Sequence, residues 1–592
     1  MTEAVIIYVR KKLVILSLFK PTLVDRRYIL NMKIGSFSNG IKKDAKNNRK
    51  NKIIKLLLRI GIYCYYTIYR MPKKLLKMYT FLASNRLSLF FLLPTSIFLA
   101  FLFIFQQHYF INFNTAFNLD IGDGYQNVWN IWWVNHSVAQ IHQNPYFTTM
   151  LDWPHGITLI PQTMNIYNGL IGIILMNLFG MSLIQAVNYA VISAFVMSGV
   201  FMMWFVYDRV KNYKIALLAG FLFTFSSYHF AHAQGHLQLT SFQFVPLFLL
   251  FFWRLVDSLD IKYVLLSVAS LFLVMLCDYY YLLWCVVLGF LYFTYKFLQN
   301  KQKYINKKSF VAIGAFVILA SISLLPLLLK LSHLAKSGQL TGSHDPQLFS
   351  LDPLTIIIPG GSTALGQLLA QSYWTKLPYM SEMSVYFGLP VLTLICFSIY
   401  NIIKQRKTSK NVKKFILETK YWWVIMIMFM ILAIGPRLRI YKETLDSIPM
   451  PYAWLELAWP TLQVSGMPVR WIFISHLAAL IISSYTLVYL VQKKYFKNQA
   501  VVFIVLLVII VDILPTQLPQ ATASAKKYVY VLRDLPRGAV IDNAAKSSSE
   551  QLFHQTIHEK PMAFGYTTRS TKQVEEKNFH IFADLEQGRH DA

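Results

Sequence analysis

The chain has 592 residues, of which 55% are hydrophobic and 14% charged, with 57 Lys and Arg against 27 Asp and Glu. A soluble domain carries about a quarter charged residues on its surface, so this composition excludes one and reads as a polytopic membrane protein. The charge of +30 invites nucleic acid as a partner, but its distribution excludes that reading: 20 of the basic residues lie within the first 86 positions, and most of the others form short clusters between apolar segments.

In chain order, residues 1–85 read as a basic cytoplasmic arm. "KKDAKNNRK" is solvated linker, Ile53–Tyr69 suits a helix lying on the bilayer, and Met71 offers a later start. Arg86–Gln106 is the first run able to cross a hydrocarbon core of about 30 Å, and reads as an uncleaved anchor. Leu183–Tyr207, Ile215–Phe230, Leu239–Trp253, Tyr263–Cys277, Phe310–Leu329, Tyr421–Ile434, Trp471–Val491 and Val501–Leu514 are further apolar runs. Basic links separate them at Arg209–Lys214, Arg254–Lys262, Lys296–Lys308, Lys404–Lys420 and Lys493–Lys497. If the arm and all five links are cytoplasmic, each interval holds an even number of crossings. Parity then requires "IYNGLIGIILMNLFGM" (Ile166–Met181), short and interrupted by Gly and Asn, to be re-entrant or interfacial.

The expectation is an all-α polytopic membrane protein with about 11 transmembrane helices, the N-terminus in the cytoplasm and the C-terminus outside. A transmembrane domain over 86–518 carries exterior loops at 107–182, 331–384 and 436–469. Residues 519–592 form a small exterior α/β domain, with "GAVIDN" and "KPMAFGYTTRS" as strands around the helix "SSEQLFHQTIH". Residues 107–165 contain no Lys or Arg, as an exported loop should. Cys64, Cys277, Cys285 and Cys396 lie in apolar surroundings without metal-ligand spacing and read as small core residues.

The candidate chemistry sits at the exterior ends of these runs. "NLDIGDGYQNVWNIWW" places Asp120 and Asp123 among turn residues just before a helix, 124–142, whose Trp129, Trp132, Trp133 and His136 share one face suited to the membrane interface. Asp123 with Gln126 has the spacing of a capping box, whereas Asp120 is harder to assign to capping. Either carboxylate is a candidate catalytic group, with Asp123 favoured because Gly122 and Gly124 let a ligand approach. Asp152 and His155 sit in a Pro-Gly turn of the same loop. His229, His232 and His236, at i, i+3 and i+7, would share a face on a continuous helix and suit a substrate contact or a metal. Asp278 lies at the outer end of its span. Arg437, Arg439 and Arg470 put guanidinium groups at the outer boundary, where a fixed fork suits phosphate and the bland alternative is snorkelling to headgroups.

Taken together, "GDGYQNVWNIWW", "PHGITLIPQT", "FSSYHFAHAQGHLQL" and "GMPVRW" resemble a group of bacterial polytopic membrane glycosyltransferases within the GT-C superfamily, a likeness covering most of residues 85–592. The resemblance implies location in the bacterial cytoplasmic (inner) membrane. It implies transfer of a sugar from a polyprenyl-phosphate carrier to a glycan, lipid or protein acceptor of the cell envelope. It also implies that Asp123 or Asp120 acts as base and that Arg437 and Arg470 stabilise the departing phosphate. Many such relatives carry adjacent or once-spaced acids, whereas Ile121 and Gly122 separate these two, which leaves open both the base and the use of a divalent cation. Two rivals share the composition: a transporter or flippase of lipid-linked glycan, and a non-catalytic envelope-assembly protein. A transporter places ionisable groups near the midplane, whereas these fall mostly at outer ends.

Overall fold

In a computed structural model, the described residues run from 85 to 567, with omissions at 163, 337–343, 378, 442, 460–461, 463–465, 494, 496–497, 537 and 564, together with Lys572 and Glu576. The basic arm, Ile53–Tyr69, Met71 and Cys64 lie outside them. The chain divides into two units, Met1–Gln107 and His108–Ala592. The described part of the first is chiefly α1 (Ser88–Phe105), a continuous apolar helix.

The second unit is mostly helical. After β1 (Ala116–Phe117) come α2 (Asp123–Asn135), the hairpin β2 (Phe147–Thr148) with β3 (Ile157–Thr158), and α3 (Ile166–Leu178). Then follow α4 (Leu183–Val210), α5 (Tyr213–Thr224), α6 (Ser227–His232), α7 (Leu237–Thr240), α8 (Phe244–Ser258), α9 (Lys262–Cys277), α10 (Tyr279–Gln299) and α11 (Lys307–Lys336). Beyond the next loop lie α12 (Met380–Met383), α13 (Leu389–Gln405), α14 (Lys410–Ala433), the hairpin β4 (Arg437–Ile440) with β5 (Glu443–Pro449), α15 (Ile472–Gln492) and α16 (Gln499–Asp512). The chain returns through β6 (Ala521–Thr522), α17 (Lys527–Asp534) and α18 (Ser548–His558).

Among the described residues, seven helical segments are long and apolar enough to cross a membrane: Ser88–Phe105, Leu183–Val210, Tyr213–His232, Tyr279–Gln299, Lys307–Leu334, Lys410–Ala433 and Pro468–Gln492. Ile166–Leu178, Lys262–Cys277, Leu389–Gln405 and Gln499–Asp512 are apolar but shorter. Helix α4 opens with a full capping box, Ser182 with Gln185, and ends at Lys211 in the left-handed conformation. It packs on α5 so closely that a Cβ at Gly220 would stand 2.4 Å from the Gly199 carbonyl oxygen. Small residues at that crossing let two backbones meet where apolar surface alone gives little drive inside lipid.

Three of the basic links meet at one end of this bundle. Arg209 bonds Asp208 and reaches Asp257 (Nη1–Oδ2 2.9 Å), and Arg254 reaches Asp208 (Nη2–Oδ1 3.0 Å). Lys296 joins Asp257 at 3.0 Å, and Lys303 donates to the Asp257 carbonyl at 2.6 Å.

The C-terminal segment packs onto the first loop. Strand β6 pairs antiparallel with β1, Ala116 opposite Thr522 and Phe117 opposite Ala521. Helix α18 covers α2, and its Gln555 accepts from Trp129 Nε1 at 2.6 Å. The two strands expected around α18 reduce to one parallel bridge, Val540 with Met562. Trp129, Trp132 and Trp133 are buried with Leu151, Ile157, Met164, Leu552 and Met562 in one apolar cluster. The expectation of a lipid-interface aromatic face on this helix is therefore corrected. The tryptophans face protein because the hairpin β2–β3 and α18 close over them.

Candidate functional site: an acid–histidine cluster

The first loop supplies two carboxylates with different roles. Asp120 Oδ1 accepts from the backbone N–H groups of Gly122 (2.9 Å) and Gly124 (2.8 Å), and Asp120 N donates to the Gln234 carbonyl at 2.6 Å. The N-cap of α2 is Gly122, without a side-chain cap. The capping role expected of Asp123 thus belongs to Asp120. Because Asp123 is already the first helical residue, its side chain is turned away from the orphan N–H groups and outward to other segments. Its Oδ2 meets His236 Nε2 at 2.8 Å and its Oδ1 accepts from the Tyr566 hydroxyl at 2.7 Å. Burial pushes the Asp123 carboxyl up, but the His236 hydrogen bond and charge, with the Tyr566 bond, outweigh it and hold the group below the ordinary range. Burial dominates at Asp120, which lies above its ordinary value despite its two backbone donors.

The three histidines do not share a face. Helix α6 ends at His232, and the chain turns through Gly235 before α7 begins, with His236 as its N-cap residue. His229 is fully buried, its Nδ1 on the Thr224 carbonyl (2.8 Å) and its Nε2 on the Thr240 carbonyl (3.1 Å), so it ties two backbone segments together. His232 and His236 face each other, Nδ1 to Nδ1 at 3.0 Å. The turn fits closely around the first loop. Asn127 Nδ2 donates to the carbonyls of Asp123 (3.0 Å) and Gly235 (2.7 Å), and a Cβ at Gly235 would stand 2.7 Å from Asp120 Oδ2.

Glu382, on α12, completes the cluster and was not singled out from the sequence. Arg470 grips it with a bidentate fork, Nε to Oε2 at 3.1 Å and Nη2 to Oε1 at 2.6 Å. Its Oε1 lies 3.5 Å from His236 Nδ1 and its Oε2 3.9 Å from His232 Nε2. Burial raises this carboxyl, but Arg470 and the two histidines override that and hold it far below the carboxylate range. The signal available beforehand was isolation: Glu382 is the only acid between Asp352 and Glu418, inside an expected exterior loop. Tyr566, read only as part of a strand, carried no comparable signal.

Arg470 stacks over the Tyr280 ring at 5.0 Å. Asp278 caps α10, its Oδ1 accepting from Tyr280 N (2.7 Å) and Tyr281 N (3.3 Å), so it anchors the residue beneath that guanidinium. Burial lifts the Asp278 carboxyl to about 6 against the opposing effect of Arg470. Asp152, at φ +54°, and exposed His155 form the turn between β2 and β3, which is clasped to the C-terminal segment by Trp153 N on the Met562 carbonyl at 3.1 Å. Arg437 is exposed at the start of β4, while Arg439 is buried with Nη1 on the Leu348 carbonyl at 2.9 Å.

The cluster thus joins Asp120, Asp123, His232, His236, Glu382 and Arg470, with Tyr566 above and Asp278 behind. An ionised carboxylate held by an imidazole can accept a proton, and His232, His236 and Glu382 offer atoms of metal-ligand type within 4.8 Å of one another. No curated protein matches the chain significantly. The model of one family, described as a domain of unknown function (DUF6311), matches residues 95–514, most of the helical region and all of the cluster except Tyr566. The chain belongs to the DUF6311 family.

Proposed function

We propose that this protein is a glycosyltransferase of the bacterial cytoplasmic membrane that transfers a sugar from a polyprenyl-phosphate carrier to a cell-envelope acceptor on the outer face. In this reading the seven long helices, Phe244–Ser258 and the shorter Lys262–Cys277, Leu389–Gln405 and Gln499–Asp512 make 11 spans with Ile166–Leu178 re-entrant or interfacial, the cytoplasmic end carries the Asp208–Asp257 ion-pair network, and the acid–histidine cluster lies at the outer surface. The resemblance of the motifs "GDGYQNVWNIWW" and "FSSYHFAHAQGHLQL" to GT-C enzymes supports it.

The single observation that carries the reading is the setting of Asp123, an ionised carboxylate from the first loop held between His236 and Tyr566 beside the Glu382–Arg470 pair. The acceptor hydroxyl oxygen forms a bond to the anomeric carbon as its proton passes to Asp123. The bond from that carbon to the carrier's phosphate oxygen breaks, and the bonding pair leaves on the phosphate. A positioned base and preorganised positive charge are what such a displacement requires. Arg437 is assigned the leaving phosphate. Arg470 acts as a positioning residue, since its fork is engaged with Glu382.

The test is a deletion strain complemented with wild-type or Asp123→Asn protein, with mass spectrometry of surface glycans and polyprenyl-linked sugars. Donor lipid should accumulate and a surface sugar disappear, restored by wild type and not by the variant at equal abundance. An unchanged glycan profile on deletion, or full complementation by the variant, overturns the assignment.

A further inference from the structure

We propose that His232, His236 and Glu382 form a binding site for a divalent transition-metal cation of the zinc class. Metal binding stands or falls independently of the transferase reading. The separations fit a common ion. Two donors on a tetrahedral zinc, each about 2.0–2.1 Å from it, lie about 3.3 Å apart. His236 Nδ1 is 3.5 Å from Glu382 Oε1, His232 Nε2 is 3.9 Å from Glu382 Oε2, and the ligand-type atoms of the three residues lie within 4.8 Å of one another.

Three further features point to a cation there. His232 is fully buried, and among the described residues its Nε2 has no hydrogen-bond partner and faces Glu382 Oε2 at 3.9 Å. An imidazole sunk in protein with an unsatisfied nitrogen costs about 1–3 kcal/mol, which a ligand bond from Nε2 offsets. The far nitrogen of His236 rests on Asp123 at 2.8 Å, the carboxylate–histidine arrangement that orients metal-bound imidazoles elsewhere. Finally, Glu382 interacts with the carboxylates of Asp123 and Asp278, and Asp123 with that of Asp120, while Arg470 faces Glu382 and Asp278, an excess of negative charge that a divalent cation neutralises.

The donor set selects the metal class. Two imidazoles with one carboxylate suit zinc better than magnesium or calcium, which take oxygen donors. The spacing in "HAQGH" is that of two zinc-binding histidines one helical turn apart, but Ala233 stands where a metalloprotease has its glutamate, so the set is a cation site without that base.

The experiment uses full-length protein in detergent, purified without an oligohistidine tag, stripped with chelator and titrated with Zn2+. Bound metal is counted by mass spectrometry, and Co2+ is added separately for its visible ligand-field spectrum. Wild type should bind one Zn2+ per chain and give a tetrahedral Co2+ spectrum. His232→Asn and His236→Asn should abolish that spectrum and weaken binding at least about 100-fold, and Asp123→Asn should weaken it about 10- to 100-fold. Because His232 is fully buried, His236→Asn, at a ring partly open to solvent, is the decisive variant. Failure of folded wild type to take up Zn2+ overturns the proposal, and so does uptake that His236→Asn leaves unchanged, which marks an adventitious ion. Binding without glycan transfer would leave the metal site standing and remove the transferase reading; transfer by protein that takes up no Zn2+ would do the reverse.

Discussion

Asp120 and Asp123 are three residues apart in a glycine-rich turn, yet their surroundings divide the work between them. Asp120 spends one oxygen on two backbone donors and fixes the turn, whereas Asp123 points at His236 and Tyr566. Asp123→Asn should therefore lower sugar transfer about 100- to 10,000-fold with little change in melting temperature. Asp120→Ala should lower the melting temperature, at about 1 kcal/mol for the lost cap acceptor. Transfer assays on membranes, paired with thermal melts, separate the two, and interchangeable effects would contradict the division. Gly235 is a second point of tight fit. Gly235→Ala places a methyl 2.7 Å from Asp120 Oδ2, so a cost of about 1–3 kcal/mol in stability is expected, read as a lower melting temperature. A neutral substitution there would mean that the turn relaxes freely. The acid pair was legible because Asp120, Asp123 and Asp152 are the only acids in a loop without Lys or Arg. Which of them caps the helix was not, because a capping box is a spacing and only the entry angle of the chain decides which side chain faces the free N–H groups.

At the scale of elements, the C-terminal helix α18 holds the first-loop helix α2 in place. Gln555 accepts from Trp129 and donates through Nε2 to the carbonyls of Met150 (2.6 Å) and Lys560 (2.9 Å). Gln555→Leu takes this partner from Trp129 Nε1 and the Lys560 carbonyl, each at about 1–3 kcal/mol, while the Met150 carbonyl keeps the Met562 N–H at 2.8 Å. Faster amide exchange in residues 147–158 and 548–562 would register the loosening, and unchanged exchange would show that α18 does not clamp the loop. Acid acts on the same element. Asp542 accepts from Tyr528 and pairs with His554 at 2.5 Å. Burial raises its carboxyl, but these partners hold it below the ordinary value. A depressed folded-state value means stability that is complete above the unfolded value of about 3.9 and is lost as pH falls through the folded one. The C-terminal segment should thus keep its protection down to about pH 5 and lose it below about pH 4, and Asp542→Asn should flatten that dependence. The extent of α18 was readable from "SSEQLFHQTIH", whose Ser547 cap and apolar spacing are local. Its docking on Trp129 was not, because the partner lies more than four hundred residues earlier and no periodicity encodes it.

For the whole molecule, the sequence and the fold meet in the two-ended arrangement of charge. Ile121 is exposed beside the acid pair, and Lys301 is exposed in a basic link. In a background without native cysteines, Ile121→Cys should react with an impermeant maleimide on intact cells, and Lys301→Cys only after the membrane is opened. The reverse pattern would invert the topology and remove the site from lipid-borne substrate.

The amino-acid sequence by itself determined the apolar helices, the ends at which basic links gather, and the loop that carries Asp120 and Asp123. These depend on transfer free energy and charge, which act through each segment's own composition. Only the tertiary structure decided that Glu382 and Arg470 join His232 and His236, that His229 serves the backbone, and that Tyr566 returns to Asp123. Such contacts arise where packing brings distant segments within hydrogen-bond reach, and a short-range bond between far-apart positions leaves no mark in the residues on either side.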